Sequence, residues 1–134
     1  MSAIDQPPAV AEKFASYAPD VRAQMQALRM LVLETAAATP GVGPIEETLK
    51  WGQPSYLPSE TGSGTTVRID AHRDGGVALY VSCKTDLVET YRRHYPELHY
   101  EGVRAIVLKD GPQDEATLRH CIGLALTYHA RKKG

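Results

Sequence analysis

The sequence predicts an α+β protein in which an antiparallel sheet of about five strands packs against N-terminal and C-terminal helices. Two kinds of periodicity predict this class. Apolar side chains recur at helical spacing in the first third and the last segment of the chain, whereas the middle alternates apolar and polar residues as half-buried strands do. Clusters of Pro and Gly separate these segments. The expected order is helix, helix, three strands, helix, two strands, helix.

The length and the N-terminal composition indicate one domain. A chain of 134 residues is long enough to bury a large core without disulfides or a metal. We expect a single domain over residues 9–134, preceded by a disordered tail over residues 1–8, which are polar and Pro-rich.

The charge balance and the hydropathy pattern bear on partners and compartment. The chain carries 15 Lys and Arg against 16 Asp and Glu, which removes a general attraction to polyanions. We therefore expect no nucleic acid and no membrane as partner. No basic leader is followed by an apolar run, and no apolar stretch approaches the roughly 18 residues of a membrane helix. The sequence predicts a soluble, cytoplasmic protein.

Two helices are expected first. Val10, Phe14 and Tyr17 share one face of a short helix. Pro19 and Asp20 suit the first turn of a longer second helix, which residues 39–44 end with two Pro and two Gly. Polar residues, Arg29 among them, lie opposite its apolar stripe, so the stripe is expected to face the core. The stripe consists of Val21, Met25, Leu28, Val32 and Ala36.

Residues 46–56 hold the only Trp of the chain. Leu49 and Trp51 alternate as on one face of a strand, but Gly52 and Pro54 interrupt the pattern, and both are poorly tolerated in a central strand. We expect one strand that bends at a bulge or at the sheet edge. Residues 58–64 then form a flexible loop by composition.

A hairpin is expected over residues 65–82. A three-residue loop, 73–75, matches Ile69 with Leu79 and Ala71 with Val77, whereas a two-residue turn would mix polar and apolar sides. This register puts Arg68 and Tyr80 together on the other face of the sheet.

The last elements follow from caps and periodicity. Asp86 begins a D-x-x-E helix start, and Pro96 ends that third helix. Strands are expected at 98–100 and 103–109, the second of them interior. Asp114 caps a helix through His129. The two cysteines, Cys83 and Cys121, are expected to be buried thiols.

No motif for catalysis or for metal binding is legible. The five His residues have no metal-ligand spacing, and neither a phosphate-binding glycine loop nor G-x-S-x-G occurs. We therefore predict no catalytic residue, no metal site and no cofactor.

The candidate site gathers around the bend. Trp51, Gln53 and Tyr56 are expected to lie near Arg68 and Tyr80, and an aromatic pocket with a few convergent polar groups is the usual form of a small-molecule site. The alternative is structural, because Trp and Tyr bury a large area and the same residues would then cap the core.

The motif Lys50-Trp51-Gly52-Gln53-Pro54-Ser55-Tyr56 with Glu46, supported by residues 104–108, resembles the YdhG-like family of small uncharacterised bacterial proteins. The resemblance implies an α+β domain and little chemistry. Some members of that family are described as frataxin-like or as handling intracellular iron, which implies an array of exposed carboxylates. In this sequence, Glu46, Glu47, Asp86 and Glu89 are scattered instead.

The sequence thus predicts a non-catalytic domain that binds a small molecule or a partner through the Trp51 region. Two alternatives stay open. One is a homodimer formed through the hairpin at 65–82, whose edge or aromatic face would meet a second copy. The other is a frataxin-like iron carrier.

Overall fold

A computed structural model describes residues 6–133 and confirms the α+β class, with a six-stranded antiparallel sheet and helices at both ends of the chain. The expected tail over residues 1–8 falls largely outside the described residues, and the first helix begins at Pro8. The helices are α1 (Pro8–Ala15), α2 (Pro19–Ala38), α3 (Leu87–His94), α4 (Glu115–Leu126) and α5 (Tyr128–Lys133). The strands are β1 (Glu46–Lys50), β2 (Gln53–Leu57), β3 (Val67–Ala71), β4 (Val77–Tyr80), β5 (His99–Glu101) and β6 (Ala105–Leu108).

The strand order across the sheet is β1-β2-β3-β4-β6-β5. The sixth strand arises because the stretch around Trp51 is a hairpin, so the expectation of one bent strand is wrong. Lys50 pairs with Gln53, and the turn between them consists of Trp51 and Gly52, with φ angles of 57° and 75°. Two positive φ angles in a two-residue loop are the geometry of a type I′ turn, which fits the twist of the strands it joins.

The β3–β4 hairpin has the predicted register. Ile69 pairs with Leu79 and Ala71 with Val77, while the amide of His72 donates to the carbonyl of Gly76 at 3.0 Å. Gly75 adopts a φ of 104° at the end of the three-residue loop. Alternate residues therefore point to opposite faces as expected.

The core lies between one face of the sheet and helices α2 and α4. The predicted stripe of α2 is confirmed, because Met25, Leu28 and Val32 are fully buried. Arg29 corrects the prediction, since it is only 9% exposed rather than solvated. Its guanidinium forms a two-pronged ion pair with Glu47 on β1, with N···O distances of 2.6 and 2.8 Å.

The loop over residues 58–64 packs against the end of α4, whereas its composition predicted a flexible loop. The Ser63 hydroxyl donates to the carbonyl of Leu126 at 2.8 Å, and the amide of Thr65 donates to Ala125 at 3.0 Å. The amide of Ala130 in turn donates to the carbonyl of Ser63 at 2.8 Å. The first two bonds satisfy carbonyl groups in the last turn of α4, which ends at Leu126 rather than at the expected His129.

Smaller corrections concern caps and cysteines. Asp114 caps α4 as predicted by accepting a hydrogen bond from the amide of Thr117, whereas the side chain of Asp86 makes no cap bond to α3. Cys121 is buried as expected, but Cys83 is exposed because β4 ends three residues before it. β6 is interior, between β4 and β5.

Candidate recognition surface

Three of the five predicted site residues meet on the sheet face that points away from α2 and α4. We call this the open face; it is carried by Lys50, Gln53, Arg68 and Asp70, which are exposed or half-buried, and by Ser55, Ala78 and Tyr80, which are buried. The Nε of Arg68 donates to Oε1 of Gln53 at 3.1 Å, and Arg68 lies directly opposite Tyr80 on the neighbouring strand. The hairpin register alone was enough to place Arg68 beside Tyr80.

Trp51 lies at the tip of the β1–β2 turn, where its side chain is 92% exposed. It therefore does not line an enclosed pocket with Arg68 and Tyr80. Its φ of 57° is in the left-handed region, which bulky residues rarely adopt. The chain thus presents its only indole to solvent from a backbone conformation that disfavours Trp.

Tyr56 belongs to the core rather than to the candidate site. It pairs with Val67 on the helix-facing side of the sheet and is fully buried. Its hydroxyl donates to Oε2 of Glu47 at 2.7 Å, the same carboxylate that Arg29 holds. Burial, followed by the negative charge of Glu47, raises the pKa of Tyr56, so this phenol stays protonated.

The carboxylate of Asp70 on the open face is saturated by its neighbours. Oδ1 accepts hydrogen bonds from the hydroxyl of Tyr17 at 2.6 Å and from the amide of Ala71 at 2.9 Å. Oδ2 accepts from the carboxamide of Gln53 at 3.2 Å. Burial and then the bond to Asp70 raise the pKa of Tyr17. Asp70 therefore forms no ion pair with Arg68, whose terminal nitrogens have no partner among the residues that the structure describes.

Tyr80 is nearly buried, at 7% exposure, and the guanidinium of Arg104 lies 5.7 Å from its ring centroid. This is within cation–π range. Burial, ahead of the nearby charges, raises the pKa of Tyr80. Sequence analysis missed Arg104 as a site residue, although it interrupts an otherwise apolar run over residues 103–108.

The other carboxylate near Tyr80 is also paired. Oε2 of Glu101 lies 3.2 Å from Nε2 of His72 and 3.0 Å from the guanidinium of Arg73. The amide of Asp74 donates to Nδ1 of His72, so the ring proton resides on Nε2 and is donated to Glu101. That hydrogen bond lowers the pKa of Glu101.

Residues 6–133 contain no group of three or more His, Cys, Asp or Glu side chains arranged to hold a metal ion. Within the same range, no helix has the length and apolar character to cross a bilayer. Comparisons with protein-family models, with curated proteins and with solved structures found no match. The resemblance to the YdhG-like family remains a prediction.

Proposed function

We propose that this protein is a non-catalytic binding module that recognises an acidic, partly apolar segment of a partner protein. The proposed recognition surface consists of Trp51 at the hairpin tip, Lys50, Gln53 and Arg68 on the open face, and Arg104 beside Tyr80. The observation that carries the proposal is the exposed indole of Trp51 in a left-handed turn.

Trp51 is unfavourable for the folded protein in two respects. Type I′ turns favour Asn, Asp or Gly at this position, because these residues tolerate positive φ. An exposed indole also gains nothing from burial in the core. Strained backbone and exposed large apolar groups recur at functional sites, and Trp and Arg dominate the energetics of protein interfaces.

The charges around Trp51 favour an acidic partner. Lys50 shares the face of Gln53, its cross-strand partner, and Arg68 follows on β3. Neither cation has an ion pair in the described part of the chain, and Arg104 has none either. Both oxygens of Asp70 and Oε2 of Glu101 are already bound within the chain, whereas Oε1 of Glu101 is buried without a partner among the described residues. Complementary charge on a partner would fix its register and speed its association.

The shape favours a macromolecular partner over the small molecule expected from the sequence. Small-molecule sites are concave and bury most of the ligand surface. An indole that is 92% exposed at a hairpin tip gives no such enclosure. A peptide segment laid along the open face would cover the indole and the cations together.

The single tryptophan provides the test, because fluorescence excited at the red edge of absorption, where Tyr absorbs little, reports Trp51 alone. We expect a peptide of alternating Glu and Leu residues to shift the emission to the blue, and salt to weaken the binding. Arg68→Gln should weaken binding about threefold or more, as expected for a lost charge contact. The matched control, Arg93→Gln, removes an exposed guanidinium on α3 and should leave binding unchanged.

Two results would contradict the proposal. One is an equal emission shift with a matched peptide of alternating Lys and Leu residues. The other is the absence of any shift with the acidic peptide. A blue shift that grows with protein concentration alone, together with a dimer in sedimentation, would instead support the homodimer alternative.

A further inference from the structure

A second feature of the molecule lies apart from the recognition surface. A pocket of about 260 Å³ opens between the ends of β5 and β6 and the first turns of α4. Trp51, Lys50, Gln53, Arg68 and Arg104 do not line it. Any ligand it holds would therefore be independent of the partner proposed above.

The floor of the pocket is apolar and fixed by the core. Leu108 on β6 and Leu118 on α4 are 9% and 1% exposed, and Leu98 and Val107 complete the apolar lining. Gly111 closes one side in a left-handed turn with a φ of 80°. A Cβ at Gly111 would lie 2.8 Å from Cγ of Gln24 on α2, so the backbone there is packed against a neighbouring helix. The pocket wall is therefore held in place by contacts within the chain itself.

The charged lining is net negative. The lining carries the carboxylates of Glu97, Asp110 and Asp114 against one ammonium group, that of Lys109, and one imidazole, that of His99. Glu97 and Asp110 form no ion pair and accept no side-chain hydrogen bond in the described part of the chain, so their charges are available to a ligand. An acidic lining above an apolar floor selects an organic cation rather than an anion.

The N-terminus of α4 does not reverse this preference. Asp114 accepts hydrogen bonds from the amide of Thr117 at 3.2 Å and from its hydroxyl at 2.8 Å. These bonds, the hydroxyl first, lower the pKa of Asp114 and keep it ionised. The positive end of the helix dipole is thus already compensated from within the chain.

We propose that this pocket binds a small amphipathic amine, with one ring or a short apolar chain on the leucine floor and a protonated amino group against Glu97 and Asp110. The volume sets the size, because it falls just below the roughly 300 Å³ at which drug-sized sites begin. A ligand of about one aromatic ring with a short side chain fits that limit.

Three isosteric probes test the proposal by amide chemical shifts in two-dimensional NMR: phenethylamine, 2-phenylethanol and phenylacetate. We expect all the shifts from phenethylamine to map to the pocket, including Gly111 and Thr117, and affinity to fall from the amine to the alcohol to the acid. The double substitution Glu97→Gln and Asp110→Asn should weaken phenethylamine about threefold to tenfold and leave the alcohol unchanged. Glu60→Gln, an exposed residue that does not line the pocket, is the matched control.

Three outcomes would overturn the proposal: equal affinity for the amine and the acid, shifts that map elsewhere, or no shifts up to about 10 mM phenethylamine, the range of very weak binding. None of these outcomes would contradict the proposed recognition surface, because the emission of Trp51 tests that surface separately.

Discussion

At the scale of single residues, the least predictable feature is the buried triad of Arg29, Glu47 and Tyr56. Helical periodicity put Arg29 on the polar side of α2, and strand alternation alone could not reveal that Glu47, eighteen residues later, would be its partner. Only the packing of α2 against the sheet brings the three together. Periodicity describes one element at a time, so it cannot predict an ion pair between side chains on two different elements.

Removal of one member of the triad should destabilise the protein strongly. Glu47→Ala removes the buried carboxylate that both the guanidinium of Arg29 and the hydroxyl of Tyr56 bind. We expect the free energy of unfolding in urea to fall by about 3–5 kcal/mol.

Glu46→Ala is the matched control, because Glu46 is exposed on the same strand. Its effect should stay within about 0.5 kcal/mol. Equal losses in the two variants would show that the triad does not stabilise the fold.

At the scale of elements, the two N-terminal hairpins of the sheet explain where prediction succeeds. The β3–β4 loop carries Asp74-Gly75, a common turn signal, and its register was predicted correctly. The β1–β2 turn carries Trp51-Gly52, where Asn-Gly is usual. Because this pair is no common turn signal, one bent strand was expected instead. The error then placed the indole on a strand face.

The loop at 58–64 shows that composition alone does not predict whether a loop is flexible or packed. Gly and Ser suggest flexibility, but Gly64 is required by a close approach: a Cβ there would lie 2.1 Å from the carbonyl carbon of Leu126. Backbone cannot give way as a flexible side chain can. The glycine therefore permits contact between the loop and α4.

Replacement of Gly by Ala should change the free energy of unfolding in opposite directions at positions 64 and 123. We expect Gly64→Ala to lower the free energy of unfolding by about 1–3 kcal/mol through overpacking. Gly123→Ala, in the interior of α4, meets only the methyl of Thr35 at 3.9 Å and should raise it by up to about 1 kcal/mol through helix propensity. Thermal unfolding of both variants measures the contrast, and a harmless Gly64→Ala would mean that the loop does not pack on α4.

At the scale of the whole molecule, local patterns predicted the class and the elements, whereas pairing between distant segments decided the rest. The pairing of β4 with β6 joins residues 25 to 31 positions apart, from Tyr80 with Ala105 to Val77 with Leu108, which no periodicity specifies. For the same reason, the five residues predicted to form one site lie in three different places. Gln53, Arg68 and Tyr80 share the open face, but Tyr56 lies on the opposite side and Trp51 at the turn.

The residues that stabilise the fold therefore lie apart from the residues of the proposed recognition surface. Helices α2 and α4 cover one sheet face and hold the core, while the hairpin tip and the open face carry the proposed recognition surface. If Trp51 serves a partner rather than the core, its replacement should not weaken the fold.

The most direct test is the free energy of unfolding of Trp51→Asn against the unchanged protein, by urea denaturation followed by circular dichroism. We predict an equal value or a gain of up to about 1 kcal/mol, because Asn suits the left-handed turn position and no buried contact is lost. A loss of about 3 kcal/mol or more, as expected for a core Trp, would contradict the account.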